Sequence, residues 1–393
     1  MPFYATQSTS SQPVFNLSPT HPFIVIHPSF LRVLGSNPTL KVIAKSSDGR
    51  KFAHEAGVWI EETQEIVFTS NLYQDLEPRN QISRIRLDAV ERGRDVEECW
   101  DDITTSPSEV VTANGATLFG KDVLVCSQGL GTDIPSSITV MEPKAPFKSY
   151  PIINNFHGRP FNSVNDVVVL PAPSLDPSVP HPTTDRSDLH HLPHTTIWFT
   201  DVTYGLAQGY KPKPVLPNQV YCFNPTTGDI RVVANDIAMP NGLCFNHEGT
   251  RCYITDTACI NGDGKGNWNI DGAKGGAIYV YDVVRPPHGA DLTAQGPTLE
   301  NKRLFAFADG GAPDGIKTDR WGNVYSGCVD GVEVWNEFGT LIGRIVLFPD
   351  PKDNNKAHEC ANFNFCPDGR LFILAEDRIF VASLSPDVQG SLC

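Results

Sequence analysis

The sequence predicts an all-β protein folded as a six-bladed β-propeller, and three observations support this fold class. Glycine and proline each occur 32 times in the 393 residues. Short β-branched or aromatic runs between turn residues recur along the chain, whereas segments with helical periodicity are scarce. Six stretches share one pattern, which indicates an internal repeat with one blade per unit.

Each of the six stretches predicts a β-hairpin. A polar residue opens a short apolar strand, a turn follows, and a second strand ends in Thr, Ser or Asp. Further strands such as "QVYCFNPTTGDIRVVA" and "GGAIYVYDVV" lie between the hairpins and complete four-stranded sheets. We expect the innermost strands of the blades to begin at Glu55, Asn114, Asn165, Asn241, Asp314 and Asn362. These six residues are called the openers below.

The repeat predicts one domain over residues 39–393, preceded by a partly ordered N-terminal extension over residues 1–38. A closed ring needs strands from both chain ends in one sheet, and "TLKVIAKSS" is the expected partner of "RIFVASL" near the C-terminus. The longest insertion, the Pro- and His-rich residues 172–194, interrupts the third hairpin and is expected to form a surface excursion.

The composition limits the partners of the protein. The formal net charge is −14, with 45 acidic against 31 basic residues, which argues against a nucleic-acid or anionic-membrane partner. No apolar run approaches the roughly 20 residues that span a bilayer. The N-terminal segment is polar and lacks the pattern of a signal peptide, so we expect a cytoplasmic protein, or a secreted one if a signal peptide has been removed.

The cysteines argue against a zinc site. The chain has 10 of them, with no C-x-x-C pair and no histidine pair at zinc-binding spacing. We expect buried free thiols in preference to disulfides.

The polar residues that open the hairpins are candidates for a shared site. The innermost strands of a propeller begin near its central channel, so these side chains converge from distant parts of the chain. Turn formation explains a single Asn-Gly or Asp-Gly pair. It does not explain why a polar residue occupies the same position in all six hairpins, or why this residue is a glutamate in the first hairpin. Carboxylate and amide oxygens favour a hard cation, and two carboxylates, Glu55 and Asp314, balance a dication. The sequence therefore predicts a central site for Ca²⁺ or another divalent cation.

Several short motifs carry a resemblance to a known family. "EAGVW", "NSVND", "WFTDVTYG", "PNGL" and "PDG" together resemble the successive motifs of the gluconolactonase/regucalcin family and are most similar to those of its fungal lactonohydrolases. The resemblance runs from Glu55 to the C-terminal strands. It implies a six-bladed propeller with a divalent cation, usually Ca²⁺, at one mouth of the channel, and it implies that the ligands are Glu55, Asn165, Asn241 and Asp314.

The resemblance also implies hydrolysis of a small lactone of a sugar acid or hydroxy acid. A dication polarises the carbonyl and stabilises the oxyanion, and a carboxylate takes the proton of the attacking water. Asp314 and Asp166 are the candidate bases, and Asp314 is preferred because a ligand carboxylate lies near the reacting water. The alternative for Asp166 is a carboxylate that accepts backbone N–H groups where the strand begins.

The candidate substrate contacts come from the same motifs. Asn165 and Asn114 belong to the ring of oxygen donors, Tyr204 lies at a strand end in "TDVTYG", and His54 precedes the first opener. Arg159 matches the arginine that often precedes the Asn-Asp motif of the family.

Two other functions remain open from the sequence. An esterase or phosphoesterase could use the same metal, and a calcium-binding regulatory propeller would need no catalysis. The chain has no G-x-S-x-G and no H-E-x-x-H motif, so a serine nucleophile on an elbow or a zincin site is not expected.

Overall fold

The computed structural model describes residues 22–73, 78–90, 92–97, 99–171, 195–263, 268–285, 296–348 and 357–391. The insertion over residues 172–194 and most of the N-terminal extension lie outside these ranges. The nine cysteines within them are free and buried, which confirms the expected thiols at those positions. Neither helix within these ranges is long and apolar enough to cross a membrane.

The regular structure of the described chain consists of strands and two short helices. Before the first blade lie β1 (Phe23–Val25), α1 (Phe30–Leu34) and β2 (Thr39–Lys45). The first blade holds β3 (Glu55–Ile60), β4 (Glu65–Thr69), β5 (Ile82–Arg86) and β6 (Asp101–Ile103). The second holds β7 (Ala113–Phe119), β8 (Asp122–Ser127), β9 (Ser137–Met141) and β10 (Ser149–Ile153), and the small hairpin of β11 (Asn155–Phe156) and β12 (Arg159–Pro160) follows it.

The remaining four blades continue in chain order. The third holds β13 (Val164–Leu170), β14 (Thr196–Asp201), α2 (Tyr204–Ala207), β15 (Gln219–Phe223) and β16 (Ile230–Ala234). The fourth holds β17 (Pro240–Phe245), β18 (Arg251–Asp256), the small hairpin of β19 (Ile260–Gly262) and β20 (Trp268–Ile270), β21 (Ala277–Val284) and β22 (Thr298–Phe307). The fifth holds β23 (Ile316–Thr318), β24 (Val324–Cys328), β25 (Gly331–Trp335) and β26 (Leu341–Val346), and the sixth holds β27 (Asn362–Cys366), β28 (Arg370–Ala375) and β29 (Arg378–Ser383).

The strand pairing forms a closed ring of blades. Every pairing within a blade is antiparallel, and the order from the centre outward follows the chain in the first five blades. In the sixth blade β2 pairs with β29, so strands from both ends of the described chain share one sheet. Strand β1 adds a fifth strand to the outer edge of the fifth blade. The all-β, six-bladed propeller predicted from the sequence is confirmed.

The hydrophobic core lies mainly between neighbouring blades. Trp198 of the third blade packs edge-to-face on Phe245 of the fourth, with ring centroids 5.2 Å apart. Phe30 of α1 covers the join between the fifth and sixth blades, where Gly343 leaves room for its ring. Each cluster belongs to two blades, so the apolar faces of the sheets hold the ring together.

The starts of the innermost strands agree with the repeat read from the sequence. Glu55 and Asn362 are the first residues of their strands, and Asn114, Asn165 and Asn241 are the second. Asp314 lies two residues before β23. The innermost strands contact each other around the ring in the order β3, β7, β13, β17, β23, β27 and back to β3.

Glycines after three of the openers are required by this close contact. A Cβ atom on Gly242 would lie 2.4 Å from the Asp314 carbonyl oxygen, and one on Gly115 would lie 2.6 Å from the Asn165 carbonyl oxygen. A Cβ atom on Gly315 would lie 2.4 Å from Oδ1 of Asn362. These Asn-Gly and Asp-Gly pairs are therefore sites where the next innermost strand passes too close for a side chain.

Replacing Gly242 by alanine should destabilise the propeller. The added methyl group forces apart the innermost strands of the fourth and fifth blades, so the free energy of unfolding should fall by about 1–3 kcal/mol. Gly272→Ala is the matched control, because a Cβ atom there has open space, and its change should stay within about 0.5 kcal/mol. Equal denaturation midpoints for the two variants would contradict the prediction.

Candidate functional site

One end of the channel carries the residues that open the innermost strands. Because the strands alternate in direction, the loops between the second and third strands of each blade lie at this same end. Together they enclose a cavity of about 300 Å³. Five of the six openers line it: Glu55, Asn114, Asn165, Asn241 and Asp314.

The other five openers form a ring of oxygen donors, and the sixth, Asn362, lies directly behind this ring. Its Nδ2 donates a hydrogen bond to Oε2 of Glu55 at 2.7 Å, and its Oδ1 accepts from the Phe363 N–H at 2.9 Å. Asn362 therefore orients the glutamate. The structure brings all the predicted openers to one place.

β-Bulges turn several of these side chains toward the cavity. The pairing register shifts between Ala113 and Ala116 in β7, between Val164 and Val167 in β13, and between Pro240 and Leu243 in β17. In each strand the opener lies inside the shift. A bulge re-aims a side chain that regular pleating would direct elsewhere, which explains how a strand that packs between blades also presents a polar group.

The first blade achieves the same result with a strained residue. The register of β3 shifts between Ala56 and Val58, next to Glu55. Ala56 has φ of 71°, a left-handed conformation that costs energy for a residue with a Cβ atom. Strain of this kind persists where the surrounding structure determines the backbone, and here it lies beside a proposed ligand.

The amide side chains are held in fixed orientations. Nδ2 of Asn165 donates to Oδ1 of Asn241 at 2.5 Å, and Nδ2 of Asn241 donates to the Tyr204 hydroxyl at 3.2 Å. The Tyr210 hydroxyl donates to Oε1 of Gln128, another residue of the cavity wall. The wall is therefore organised before any ligand enters.

The two carboxylates of the ring repel each other. Burial raises the pKa of Asp314 well above its usual range, and the negative charge of Glu55 raises it further. Burial also raises the pKa of Glu55, although the charge of His54 opposes this. Two buried carboxylates that share a site cannot both ionise cheaply unless a cation joins them.

Two oxygen atoms of the ring have no hydrogen-bond partner among the described residues. They are Oδ1 of Asp314 and Oδ1 of Asn114, and both are buried. Buried oxygens normally find a partner, so these two are available to a ligand. In the described part of the chain no three His, Cys, Asp or Glu side chains group as metal ligands, so a cation would also need the amide oxygens. The donor set fits a hard divalent cation.

A histidine and a glutamate form an ion pair at the rim of the cavity. Nδ1 of His54 lies 2.7 Å from Oε1 of Glu376, and Nδ2 of Asn71 donates to both Glu376 oxygens at 3.2 and 3.1 Å. Burial lowers the pKa of His54, but the charge and hydrogen bond of Glu376 outweigh it and raise this pKa to about 10. Burial raises the pKa of Glu376, but His54 and Lys51 bring it down to about 2.

Glu376 was missed by the sequence reasoning. It follows β28, the second strand of the sixth hairpin, and its φ is 66°. The ends of second strands come to the same mouth as the starts of innermost strands. Polar residues just after second strands were therefore the signal that would have identified it.

A lysine lies inside the channel beneath the ring. Lys317 lines a narrower cavity of about 80 Å³ with Val167 and Leu243. Its Nζ donates to Oδ1 of Asn362 at 3.4 Å, and Asn362 in turn donates to Glu55. Lys317 therefore supplies a positive charge to the buried carboxylates from below.

Asp166 lies outside the cavity wall. Its Oδ1 accepts from the Val167 N–H at 2.9 Å, and its Oδ2 accepts from the Leu243 N–H at 3.3 Å. The carboxylate thus joins the innermost strands of the third and fourth blades. This arrangement corresponds to the structural alternative for Asp166, a carboxylate that accepts backbone N–H groups where the strand begins.

Arg159 also lies away from the cavity wall. It is exposed in β12, and its guanidinium lies 5.6 Å from the centroid of the Phe156 ring. The prediction that it contacts substrate is therefore not supported by its position. The motif match placed it near Asn165 in sequence, but the small hairpin carries it onto the surface. Tyr204 and His54, two other candidate substrate contacts, line the cavity.

The fold and this site define a propeller whose channel mouth presents a ring of oxygen donors. Residues 55–261 match the family described as SMP-30/Gluconolactonase/LRE-like region, and the chain belongs to this family. Lactonohydrolase oryL of Aspergillus oryzae is 28% identical over 367 residues, which cover 87% of this chain and 71% of that protein. Lactonohydrolase oryH of the same organism is 25% identical over 359 residues, covering 78% and 70%.

Solved structures share the fold. A gluconolactonase from Xanthomonas campestris superposes with a TM-score of 0.62 at 21% identity, covering 93% of this chain and 95% of that one. Regucalcin from Agrobacterium tumefaciens, described as a calcium-binding protein, has a TM-score of 0.55 at 13% identity, covering 90% and 95%. These likenesses confirm the architecture.

Replacing Lys317 by methionine should destabilise the metal-free protein. The substitution keeps an unbranched chain but removes the charge that faces Glu55 and Asp166, so the free energy of unfolding at neutral pH should fall by about 1–3 kcal/mol. A divalent cation at the oxygen donors should bind the variant more tightly than the wild type, since one positive charge no longer repels it.

The matched control for Lys317 is Lys274→Met. Lys274 is exposed and pairs with Asp271 at 3.4 Å, so its loss should change stability by less than about 1 kcal/mol. Denaturation of both variants with and without Ca²⁺ measures the two stability changes and shows whether added cation alters them. An unchanged stability of the metal-free Lys317→Met protein would contradict the role as counter-ion.

Proposed function

We propose that this protein is a divalent-cation-dependent lactonase that hydrolyses the ester bond of a small lactone. Membership of the gluconolactonase-like family and the names of the fungal relatives support the reaction class. The observation that carries the proposal is the convergence of the openers on one cavity, with two mutually repelling carboxylates and two oxygens that lack a hydrogen-bond partner among the described residues. This arrangement is suited to a cation and a carbonyl substrate.

Glu55, Asn165, Asn241 and Asp314 are the residues that would hold the cation. Their oxygens favour Ca²⁺, with other divalent cations as alternatives. A related propeller, regucalcin of Agrobacterium tumefaciens, is described as calcium-binding. When bound, the cation supplies Lewis acidity toward the lactone carbonyl and the oxyanion derived from it.

Asp314 is the proposed acceptor of the proton from the attacking water. Its Oδ1 is buried and has no hydrogen-bond partner among the described residues, so it is free to accept one. Asp166 uses both carboxylate oxygens on backbone N–H groups, and we assign it to the structure of the blade contact. The base is therefore Asp314.

The substrate contacts are proposed to come from four residues of the cavity wall. Asn165 and Asn114 offer amide groups from the ring, and Tyr204 offers a hydroxyl that is already oriented by Asn241. His54 is fixed by Glu376 and donates a hydrogen bond to an oxygen of the substrate. Arg159 is not part of this set.

Removal of the cation should abolish hydrolysis and lower stability. Chelated and dialysed protein is expected to lose activity on a panel of γ- and δ-lactones and to regain it with Ca²⁺. A free Ca²⁺ concentration of about 100 times the Kd should stabilise the fold by about 2.7 kcal/mol, because the ion binds the native state alone. Full lactonase activity in chelator would exclude a catalytic cation. Calcium binding without hydrolysis of any lactone or ester would favour a regulatory propeller.

Replacing Asp314 by asparagine should remove the base while it keeps the shape and one oxygen donor. With Ca²⁺ at saturation, kcat is expected to fall by about 10²- to 10⁴-fold, the range for loss of a general base. Asp166→Asn is the comparison, and it should lower the melting temperature, because the amide cannot accept both backbone N–H groups. If Asp314→Asn regains near-normal kcat with excess metal while Asp166→Asn does not, the two roles are reversed.

A further inference from the structure

The cavity at the channel mouth has two sides that differ in polarity. The loops of the first three blades contribute amide side chains, namely Asn71, Gln128 and Gln208. These groups form the polar side. They offer donors and acceptors to the oxygens of a lactone.

The opposite side carries three apolar side chains, beside the polar Thr257 and Glu359. Ile260 from the small hairpin of the fourth blade, Ala312 from the link before β23, and Val329 after β24 line it. Val329 is 37% exposed, so its side chain faces open space at the mouth. A ligand covered with hydroxyl groups would leave those groups unpaired against this side, at a cost in affinity.

A second cavity continues the apolar side. It has a volume of about 340 Å³ and shares Tyr204 and Ile260 with the first cavity, so the two adjoin. Leu206, Ala207 and Met239 are further apolar parts of its wall, and Thr203 and Asp263 are its polar parts. Leu206 is 40% exposed on α2 although it is a large apolar residue.

The wall that the two cavities share is held in place by specific contacts. Asn241 donates a hydrogen bond to the Tyr204 hydroxyl, which fixes the Tyr204 side chain in the wall of both cavities. Helix α2 lies close to β19, since a Cβ atom on Gly262 would be 2.8 Å from the Ala207 carbonyl oxygen. The side cavity is therefore built from the folded wall and adjoins the proposed catalytic site.

We infer that the substrate is a lactone that carries an apolar substituent, such as an alkyl chain. This inference rests on the proposed function. The lactone lies at the oxygen donors, and its substituent extends past Ile260, which both cavities share, into the side cavity. Burial of each methylene there should raise kcat/KM by up to about fourfold, the factor for complete transfer of one methylene from water.

The test compares lactones that share a ring and differ in the substituent. Calcium-loaded protein is assayed with δ-valerolactone, δ-octalactone and δ-decalactone, and with glucono-δ-lactone as the polyhydroxylated case. We expect kcat/KM to rise from valerolactone to decalactone by at least about tenfold, and glucono-δ-lactone to be the poorest substrate. A faster reaction with glucono-δ-lactone than with δ-decalactone would support a lactonase but overturn the apolar subsite.

Variants of the side cavity sharpen the test. Met239→Gln and Leu206→Gln keep the approximate volume and make the wall polar, so the ratio of kcat/KM for decalactone to valerolactone should fall by about tenfold in the double variant. Val215→Gln is the matched control, since Val215 is 60% exposed and outside both cavities. A ratio within twofold of wild type in the double variant would overturn the subsite.

Direct binding separates this inference from the proposed function. If calcium-loaded wild type hydrolyses none of the lactones, the lactonase proposal fails, and calorimetry with 5-hydroxydecanoate and 5-hydroxyvalerate then examines the side cavity. Tighter binding of the decanoate, lost in the double variant, supports the subsite. Equal binding of the two acids overturns it.

Discussion

The mutual repulsion of two buried carboxylates, Glu55 and Asp314, is the constraint on which the rest of this site depends. Burial and the neighbouring charge raise the pKa of Asp314, so the arrangement costs free energy unless positive charge is supplied. The protein supplies part of it from below through Lys317 and from the rim through His54. A dication supplies the remainder in the proposed function, and the same cation gives the site its chemistry.

The close contact of the innermost strands makes this convergence possible. Glycines after several openers let neighbouring backbones approach to a distance that a Cβ atom would block. Bulges at the same positions turn the polar side chains into the channel while the next residues pack between blades. The polar ring and the apolar core are therefore alternate faces of the same short strands. A change that loosens the strand contact also moves the ligands.

The loops add selectivity to a ring that the strands hold in place. Amides from the first three blades and apolar residues from the fourth and fifth face each other across the mouth. In the proposed function, the ring of oxygen donors positions the reacting group of the substrate, and the loops select the remainder of the substrate.

The sequence by itself determined the repeat, the blade count and the six openers, because each depends on a local pattern that recurs in one register. Tertiary structure alone decided which side chains contact the openers and their neighbours. Glu376, more than 300 residues from His54, and Lys317 beneath Asn362 could not be found locally, since ring closure creates those contacts. Asp166 and Arg159 were adjacent to the right motif, yet a one-residue step along a strand turns a side chain to the other face, and a short hairpin carries Arg159 to the surface. Strand direction at a bulge and the path of a connecting loop are properties of the packed ring, and local sequence does not specify them.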